Sequence, residues 1–167
     1  MSDSGRPSAK VWECAKTAMY RAAYSVLGNS ADAEDAVMDA MERIIRGEEK
    51  FTGLSCGDMR ALAVIYCRNS AINIYNANRK RPYPVEELPE TADTSSPEDE
   101  AAASDAADRL LSLIRQMPPS YRDPLTLRVR FDMSASEIAG ILGIKEGAVR
   151  TRLTRARDWL KKHEGSE

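Results

Sequence analysis

The chain has 167 residues, 43% of them hydrophobic, which is enough to bury one core of ordinary size or two small ones. No run approaches the roughly eighteen apolar residues of a membrane span, and residues 1–10 are too polar for a signal peptide, so we expect a cytoplasmic protein. The net charge of −2 conceals a segregation of charge: residues 1–81 hold 12 basic and 10 acidic side chains, residues 82–108 hold 0 and 9, and residues 109–167 hold 12 and 7. The sequence therefore predicts two basic modules, 1–81 and 109–167, joined by an acidic connector that is either repelled by phosphate or simply solvated.

The cysteines do not form a recognisable site. Cys14, Cys56 and Cys67 are odd in number and lack CxxC spacing, and the single histidine, His163, lies near the end of the chain. This combination argues against a disulfide framework and against a zinc site. We therefore expect reduced thiols, no metal and no cofactor. A redox-sensing role for the cysteines stays open as an alternative, although the sequence shows no partner that would activate a thiol.

The first module begins with two predicted helices. Residues 20–27 have the pattern of a helix end that Gly28-Asn29 stops, and a second helix follows from Ser30 or Asp32 to Arg46. Its predicted buried face consists of Ala36, Val37, Ala40, Met41, Ile44 and Ile45. Its opposite, mostly acidic face consists of Glu34, Asp35, Met38, Asp39 and Glu42. The helix dipole also favours acidic residues in a first turn, so the carboxylates from Asp32 to Asp35 can be explained without a binding partner.

A third helix is predicted from Asp58 to Asn78. Four apolar residues of this helix are expected to be buried: Met59, Leu62, Ile65 and Ile72. Charge, amide and stacking groups are supplied by Arg60, Arg68, Asn69, Tyr75, Arg79, Lys80 and Arg81. The preceding loop, residues 47–57, offers Phe51 as a further stacking group. For Asn69, a satisfied buried amide explains the residue as well as a contact to DNA does.

The acidic connector, residues 82–108, begins as an extended linker. Residues 82–97 contain four prolines and no helical periodicity, which predicts a flexible segment. A helix is then expected from Glu98 to Gln116, where Pro118-Pro119 ends it. Pro124 fits a following helix if Ser120 caps that helix, because proline is tolerated in a first turn.

The second module contains a predicted helix-turn-helix. Ser134 and Glu137 have the spacing of a capping box, and Met133 and Ile138 that of a hydrophobic staple. Gly143 suits the tight turn, because glycine adopts positive φ without strain. A last helix over residues 146–162 should pack inward through Val149, Leu153, Ala156 and Leu160.

The outer side of this last helix has the residue types that read DNA. The residues predicted to contact DNA are Lys145, Glu146, Gly147, Arg150, Thr151, Thr154 and Arg155, with arginine and threonine suited to base edges. Arg157, Lys161 and Lys162 are predicted to hold the phosphate backbone. The alternative is a solvated basic helix without a nucleic-acid partner.

Three segments resemble the extracytoplasmic-function sigma factors, the compact members of the sigma-70 family. Residues 20–46 are similar to the family's conserved region two, and residues 67–73, Cys-Arg-Asn-Ser-Ala-Ile-Asn, to its Ala-Arg-Asn-x-Ala-Ile-Asp. Residues 117–160 are similar to region four. The resemblance implies an all-α protein with two small helical domains, joined by an acidic flexible linker, that directs promoter-specific transcription initiation.

The same resemblance implies partners and sites. The second helix of the chain would bind the clamp helices of core RNA polymerase through Asp32, Glu34, Asp35, Met38, Asp39 and Glu42. The minus-ten promoter element would meet Phe51, Arg60, Arg68, Asn69, Tyr75, Arg79, Lys80 and Arg81. Region four would contact the minus-35 element and the polymerase flap, and an anti-sigma factor is expected because the family commonly has one. The chain departs from the family where Asp35-Ala-Val-Met38-Asp39 lacks the customary glutamine and where Leu62 replaces a tryptophan.

Two other functions remain as alternatives. A helix-turn-helix regulator that acts without polymerase would leave the acidic helix and the paired modules unexplained. A nuclease would need carboxylates or histidines clustered for metal binding, and the sequence shows no such cluster. We therefore expect a protein that is not an enzyme.

Overall fold

The computed structural model describes residues 5–78 and 105–164, and these two stretches fall in two separate compact units. Apart from a short 3₁₀ helix, Glu48–Phe51, the regular elements described in both units are α-helices, which confirms the predicted all-α class. The first unit contains α1 (Pro7–Leu27), α2 (Ser30–Arg46) and α3 (Cys56–Asn78). The second contains α4 (Asp105–Gln116), α5 (Pro119–Val129), α6 (Ala135–Leu142) and α7 (Glu146–Glu164). The predicted flexible linker, the helix start at Glu98, and Arg79, Lys80 and Arg81 lie outside the described residues.

The junction of α1 and α2 is specified by its local residues. Gly28 has φ 75° and donates its N–H to the Tyr24 carbonyl at 2.8 Å, which ends α1 as predicted. Asn29 then caps α2 by accepting the Asp32 N–H at 2.9 Å. The turn between the two helices is therefore only Gly28 and Asn29, and α2 packs against α1.

The core of the first unit lies around α3, which packs against both α1 and α2. Every residue from Met59 to Ala71 except Arg60 is buried, and Leu62 is fully inaccessible, as its predicted role in the core requires. Met19 and Ile44 supply large buried side chains from the other two helices. The predicted inner face of α2 was wrong at one position, because Ile45 is 47% exposed.

The structure corrects the prediction of three reduced thiols. Cys14 of α1 and Cys56 of α3 form a disulfide, with their Cα atoms 5.5 Å apart. Their separation of 42 residues carried no signal, because only the side-by-side packing of α1 and α3 brings them together. Cys67 remains a free thiol, is fully buried, and donates to the Met19 carbonyl at 3.1 Å.

The second unit has a smaller core. Its buried centre of Met117, Leu125 and Ala156 is covered by partly buried Ile114, Tyr121, Leu153, Trp159 and Leu160. The inward stripe predicted for α7 is confirmed, with Val149 and Ala156 fully buried.

The helix α5 starts at Pro119, one residue before Ser120, which was predicted to cap it. Pro118 occupies the N-cap position and Pro119 the first turn, so Ser120 does not cap the helix and Pro124 lies inside it. The absent N–H of Pro124 removes one backbone hydrogen bond, the one to the Ser120 carbonyl. Ser120 and Pro124 are both buried, so their packing helps to stabilise the helix despite the lost hydrogen bond.

Candidate nucleic-acid interface and acidic docking surface

The helix-turn-helix of the second unit is built by the predicted devices. The Glu137 N–H donates to the Ser134 hydroxyl at 3.1 Å, and the Ser134 N–H donates to the Glu137 carboxylate at 3.3 Å, which completes the capping box. Met133 and Ile138 are both buried, and Gly143 has φ 66° in the turn. These contacts fix the start of α6 and the direction in which α7 leaves it.

The outer side of α7 is exposed along its whole length. Every residue predicted to bind DNA at the minus-35 element is exposed: Lys145, Glu146, Gly147, Arg150, Thr151, Thr154 and Arg155. Arg157, Lys161 and Lys162, predicted to contact phosphate, are exposed as well. The structure therefore brings all ten residues of these two sets to the surface of one helix and the residue before it.

Local contacts orient the outer side chains of α7. Arg150 Nη2 lies 3.3 Å from Glu146 Oε2 one turn earlier, and both side chains are largely exposed. The hydroxyls of Thr151 and Thr154 donate to the Gly147 and Arg150 carbonyls at 3.0 Å. Because these hydroxyl protons are used within the helix, the threonines have acceptor lone pairs and methyl groups left for a partner.

Arg152 differs from the other arginines of α7. Its side chain is half-buried, and burial lowers the pKa of the guanidinium while the charge of Asp123 raises it. Asp123 is itself buried on α5. Arg152 therefore belongs to the packing between α5 and α7, in agreement with its absence from the predicted DNA contacts.

The acidic face of α2 is exposed as predicted, with one exception. Glu34, Asp35, Asp39 and Glu42 are exposed, and Met38 among them is 63% exposed. Asp32 is half-buried, and its carboxylate accepts a hydrogen bond from the Asn29 amide at 3.0 Å. Asp32 therefore takes part in the capping of α2, which explains its charge without a partner.

An apolar ridge runs along this acidic face. Ala31, Met38 and Ile45 are exposed and are spaced by seven residues, so they lie nearly in line on α2. Glu42 and Asp35 lie close to the same line. Ile45 was missed as a surface residue because its position next to Ile44 suggested a wider buried face, although its spacing from Met38 was a usable signal.

The predicted minus-ten residues do not form one exposed surface. Phe51 is fully buried with its ring centroid 5.9 Å from that of Tyr66, so the ring is inside the unit and unavailable for stacking in this conformation. Arg68 and Asn69 are 3% and 8% exposed. Arg60 and Tyr75 are half-buried, and Arg60 Nε donates to the Cys14 carbonyl at 3.1 Å.

The exposed part of this region is the segment between the 3₁₀ helix and α3, residues 52–55. Thr52, Gly53 and Ser55 are exposed, and Gly53 has φ 79°. The Ser55 hydroxyl accepts the Asp58 N–H at 3.1 Å and so caps the first turn of α3. The loop that precedes α3 thus presents backbone and small polar side chains, and its one aromatic ring points inward.

The described residues do not suggest a metal site or a membrane span. Over residues 5–78 and 105–164 there is no group of three or more His, Cys, Asp or Glu side chains that is placed to hold a metal ion. No helix within the same two stretches is both long and apolar enough to cross a bilayer.

Two family models match the chain, one in each unit. The model for sigma-70 region 2 matches residues 11–81, and the model for sigma-70 region 4 matches residues 107–160. The boundaries agree closely with the helices described here.

Individual relatives are similar over different lengths. The ECF RNA polymerase sigma factor SigD of Mycobacterium tuberculosis is 41% identical over 51% of this chain and 41% of its own length. The ECF RNA polymerase sigma factor BldN of Streptomyces coelicolor is 31% identical over 83% of this chain and 53% of its own length. The RNA polymerase sigma-E factor of the same organism is 30% identical over 83% of this chain and 75% of its own. The alignments with SigD and BldN thus span about half or less of those relatives.

Proposed function

Because the chain belongs to the extracytoplasmic-function sigma factors of the sigma-70 family, we propose that it binds core RNA polymerase and directs promoter-specific transcription initiation. The observation that carries this proposal is the pairing of regions 2 and 4 in one chain, the first with an exposed acidic helix and the second with an exposed cationic helix-turn-helix. The proposed domains are 1–81 and 109–167, with 82–108 as an acidic connector that leads into a helix.

The acidic face of α2 is the proposed docking surface for the clamp helices of the polymerase. Its support is the combination of Met38 and Ile45, which are exposed, with the flanking carboxylates of Asp35, Asp39 and Glu42. Exposed apolar side chains in a polar surround are typical of a protein interface. The carboxylates would steer a basic partner, and the apolar ridge would supply the buried contact.

The outer side of α7 is the proposed reader of the minus-35 element. Arg150 and Arg155 have the donor geometry for guanine edges, and the threonines suit a base or a thymine methyl. Arg157, Lys161 and Lys162 follow toward the end of the helix and would hold phosphates. This arrangement matches the usual docking of a recognition helix, with its N-terminal half on the bases.

The minus-ten element is proposed to meet the start of α3 and the segment 52–55. A base flipped out of the duplex requires hydrogen bonds and stacking that offset an unpairing cost of a few kcal/mol. The exposed backbone around Gly53 and the half-buried Arg60 support this placement, whereas Tyr75 lies near the other end of α3 and stays a prediction for this site. Arg68, Asn69 and residues 79–81 remain predictions for this site, and Phe51 would have to leave the core to take part.

The second unit also offers an apolar surface for the polymerase flap. The helix α4 is amphipathic, yet Leu110 and Leu111 are each 41% exposed and none of its residues is fully buried. We place the flap contact there. An anti-sigma partner is expected from the family alone, and no residue described here identifies it.

This function needs no covalent chemistry from the chain. Its parts would position the polymerase and stabilise an opened promoter, while the polymerase performs the reaction. The helix-turn-helix regulator that acts without polymerase is not favoured, because it leaves the region 2 unit without a role.

Binding to purified core polymerase and run-off transcription test the proposal together. The full chain should associate with core enzyme and direct initiation from a promoter library. Asp35→Lys and Asp39→Lys should weaken association, since each places a positive charge on the proposed docking surface. Glu13→Lys is the matched control, because Glu13 is an exposed carboxylate on α1. Failure of the unmodified chain to associate with core enzyme, in the absence of an inhibitor, contradicts the proposal.

A further inference from the structure

The chain carries two kinds of cysteine in one small unit. Cys56 is exposed and Cys14 half-buried, and the disulfide between them joins α1 to the first residue of α3. Cys67 is fully buried, and burial raises the pKa of its thiol to about 12. Thiolates are the reactive species, so Cys67 is inert in the folded protein while the other two are placed to react.

The surroundings of Cys56 favour its thiolate when the disulfide is open. Its sulfur lies at the N-terminal end of α3, where the helix dipole favours negative charge. Arg60, one turn later, has Nη2 3.9 Å from Cys56 Sγ. The same guanidinium donates through Nε to the Cys14 carbonyl at 3.1 Å, so a fixed positive charge lies beside both halves of the pair.

We propose that Cys14 and Cys56 form a reversible redox pair whose oxidant is a low-molecular-weight disulfide. The Cys56 thiolate attacks one sulfur of that disulfide, whose S–S bond breaks, and the first small thiol leaves. The Cys14 thiolate then attacks Cys56 Sγ and releases the second small thiol. Two electrons pass from the protein to the small disulfide, and the protons of Cys14 and Cys56 end on the two released thiols.

The inference that the Cys14–Cys56 disulfide forms reversibly rests in part on the proposed function. A sigma factor works beside the transcription machinery, where disulfides are reduced by the thiol pool and persist mainly as catalytic or sensing states. The disulfide closes the chain between α1 and α3, and the segment 52–55 lies directly before Cys56. Oxidation therefore restrains both this segment and Arg60, two parts of the proposed minus-ten site, and leaves the acidic face of α2 untouched.

The chemistry is tested without polymerase. The full chain is equilibrated in glutathione buffers of increasing oxidised fraction, quenched with acid, and mapped by alkylation and mass spectrometry. We expect the Cys14–Cys56 disulfide to go from mostly open to mostly formed within the series, with the same titration for Cys67→Ala. Cys14→Ser should accumulate glutathione on Cys56. A pair that stays in one state throughout, or a disulfide that involves Cys67, overturns the proposal.

The restraint that the disulfide places on the first unit is measured by amide hydrogen exchange in the same samples. Amide hydrogen exchange through openings that separate α1 from α3 should be faster in the reduced form by roughly thirty-fold or more, the factor expected from the usual stabilisation by a disulfide. Residues 105–164 serve as the internal control and should exchange equally in both forms. Equal exchange at residues 52–60 would contradict the restraint.

Run-off transcription then separates this inference from the proposed function. Both forms should bind core polymerase equally, and the oxidised form should give less transcript. The double variant Cys14→Ser, Cys56→Ser should bind core and behave as the reduced form in every buffer. If it responds like the unmodified chain, the effect comes from the polymerase and the inference fails. If neither form binds core, the proposed function fails, while the glutathione titration still decides the redox chemistry.

Discussion

Arg150 is the side chain of α7 best placed to distinguish bases. It is exposed, and its contact with Glu146 holds the guanidinium beside the first residue of the helix. Arg150→Ala should cost about 1 to 3 kcal/mol on the preferred sequence and relax the preference at one promoter position. Binding of the polymerase complex to a set of single-base promoter variants measures both effects.

Arg157→Ala is the matched comparison for Arg150→Ala. Arg157 is also exposed on α7 but lies two turns later, where a phosphate contact is expected. Arg157→Ala should weaken binding to all promoter variants by a similar factor. A uniform loss for Arg150→Ala as well would make Arg150 a phosphate contact and remove it from base recognition.

The buried thiol of Cys67 makes stability depend on pH. Burial raises its pKa in the folded unit to about 12 from an ordinary 9.0. Folding therefore favours the protonated thiol: its stabilisation is fully present below pH 9 and is lost progressively as pH rises toward 12. Between pH 8 and pH 10 the loss amounts to about 1 kcal/mol.

Cys67→Ala isolates this contribution. The free energy of unfolding of the disulfide-bonded chain and of the variant is measured in urea at pH 8 and at pH 10. The variant also loses packing, but that loss is the same at both pH values. The difference between the two proteins should therefore shrink by about 1 kcal/mol at pH 10. A constant difference would mean that the thiol ionises readily in the folded unit.

The start of α6 depends on the side chain of Ser134. Ser134→Ala removes the hydroxyl that accepts the Glu137 N–H, and loss of such a cap costs about 1 kcal/mol. Amide exchange over residues 135–142 of the full chain should become about five-fold faster. Ser136→Ala changes an exposed serine of the same turn and should leave exchange nearly unchanged. Equal effects of the two variants would show that the capping box contributes little.

The apolar ridge of α2 should contribute to polymerase binding independently of its charges. Met38→Ala and Ile45→Ala each remove exposed apolar surface, so they should weaken association with core enzyme by about 1 kcal/mol or more and leave the folded unit stable. Tyr24→Ala is the control, because Tyr24 is 46% exposed on α1 of the same unit. Titration of core polymerase with labelled chain measures the affinities. Weakening by Tyr24→Ala alone would move the interface to α1.

Local signals predicted the elements well, and contacts between elements escaped prediction. Gly28 and the pair Ser134 and Glu137 act within a few residues, so the C-terminal end of α1 and the start of α6 can be predicted from the sequence. Phe51 and the disulfide are different, because the direction of a loop side chain and the meeting of α1 with α3 depend on the whole packed unit. The same dependence on packing explains the scattered minus-ten residues, whereas the exposed outer side of α7 was predicted from the local spacing of its apolar residues.

The two units present exposed surfaces of different charge. The exposed face of α2 combines carboxylates with an apolar ridge, whereas the outer side of α7 is mainly cationic. A net charge of −2 therefore says little about the partners of either unit. We expect the salt dependence of promoter binding to arise largely in the second unit, where the exposed cations of α7 lie.

The double variant Lys161→Gln, Lys162→Gln tests this assignment. Each lysine that contacts a phosphate contributes about 0.9 to the slope of log K against log salt concentration, so the slope should fall by about 1.8. Lys10→Gln, Lys16→Gln removes two exposed charges from α1 and should leave the slope unchanged. Binding of the polymerase complex to one promoter over a salt series gives both slopes. Equal reductions would mean that total charge governs binding, because only a local contact at the end of α7 makes the two variants differ.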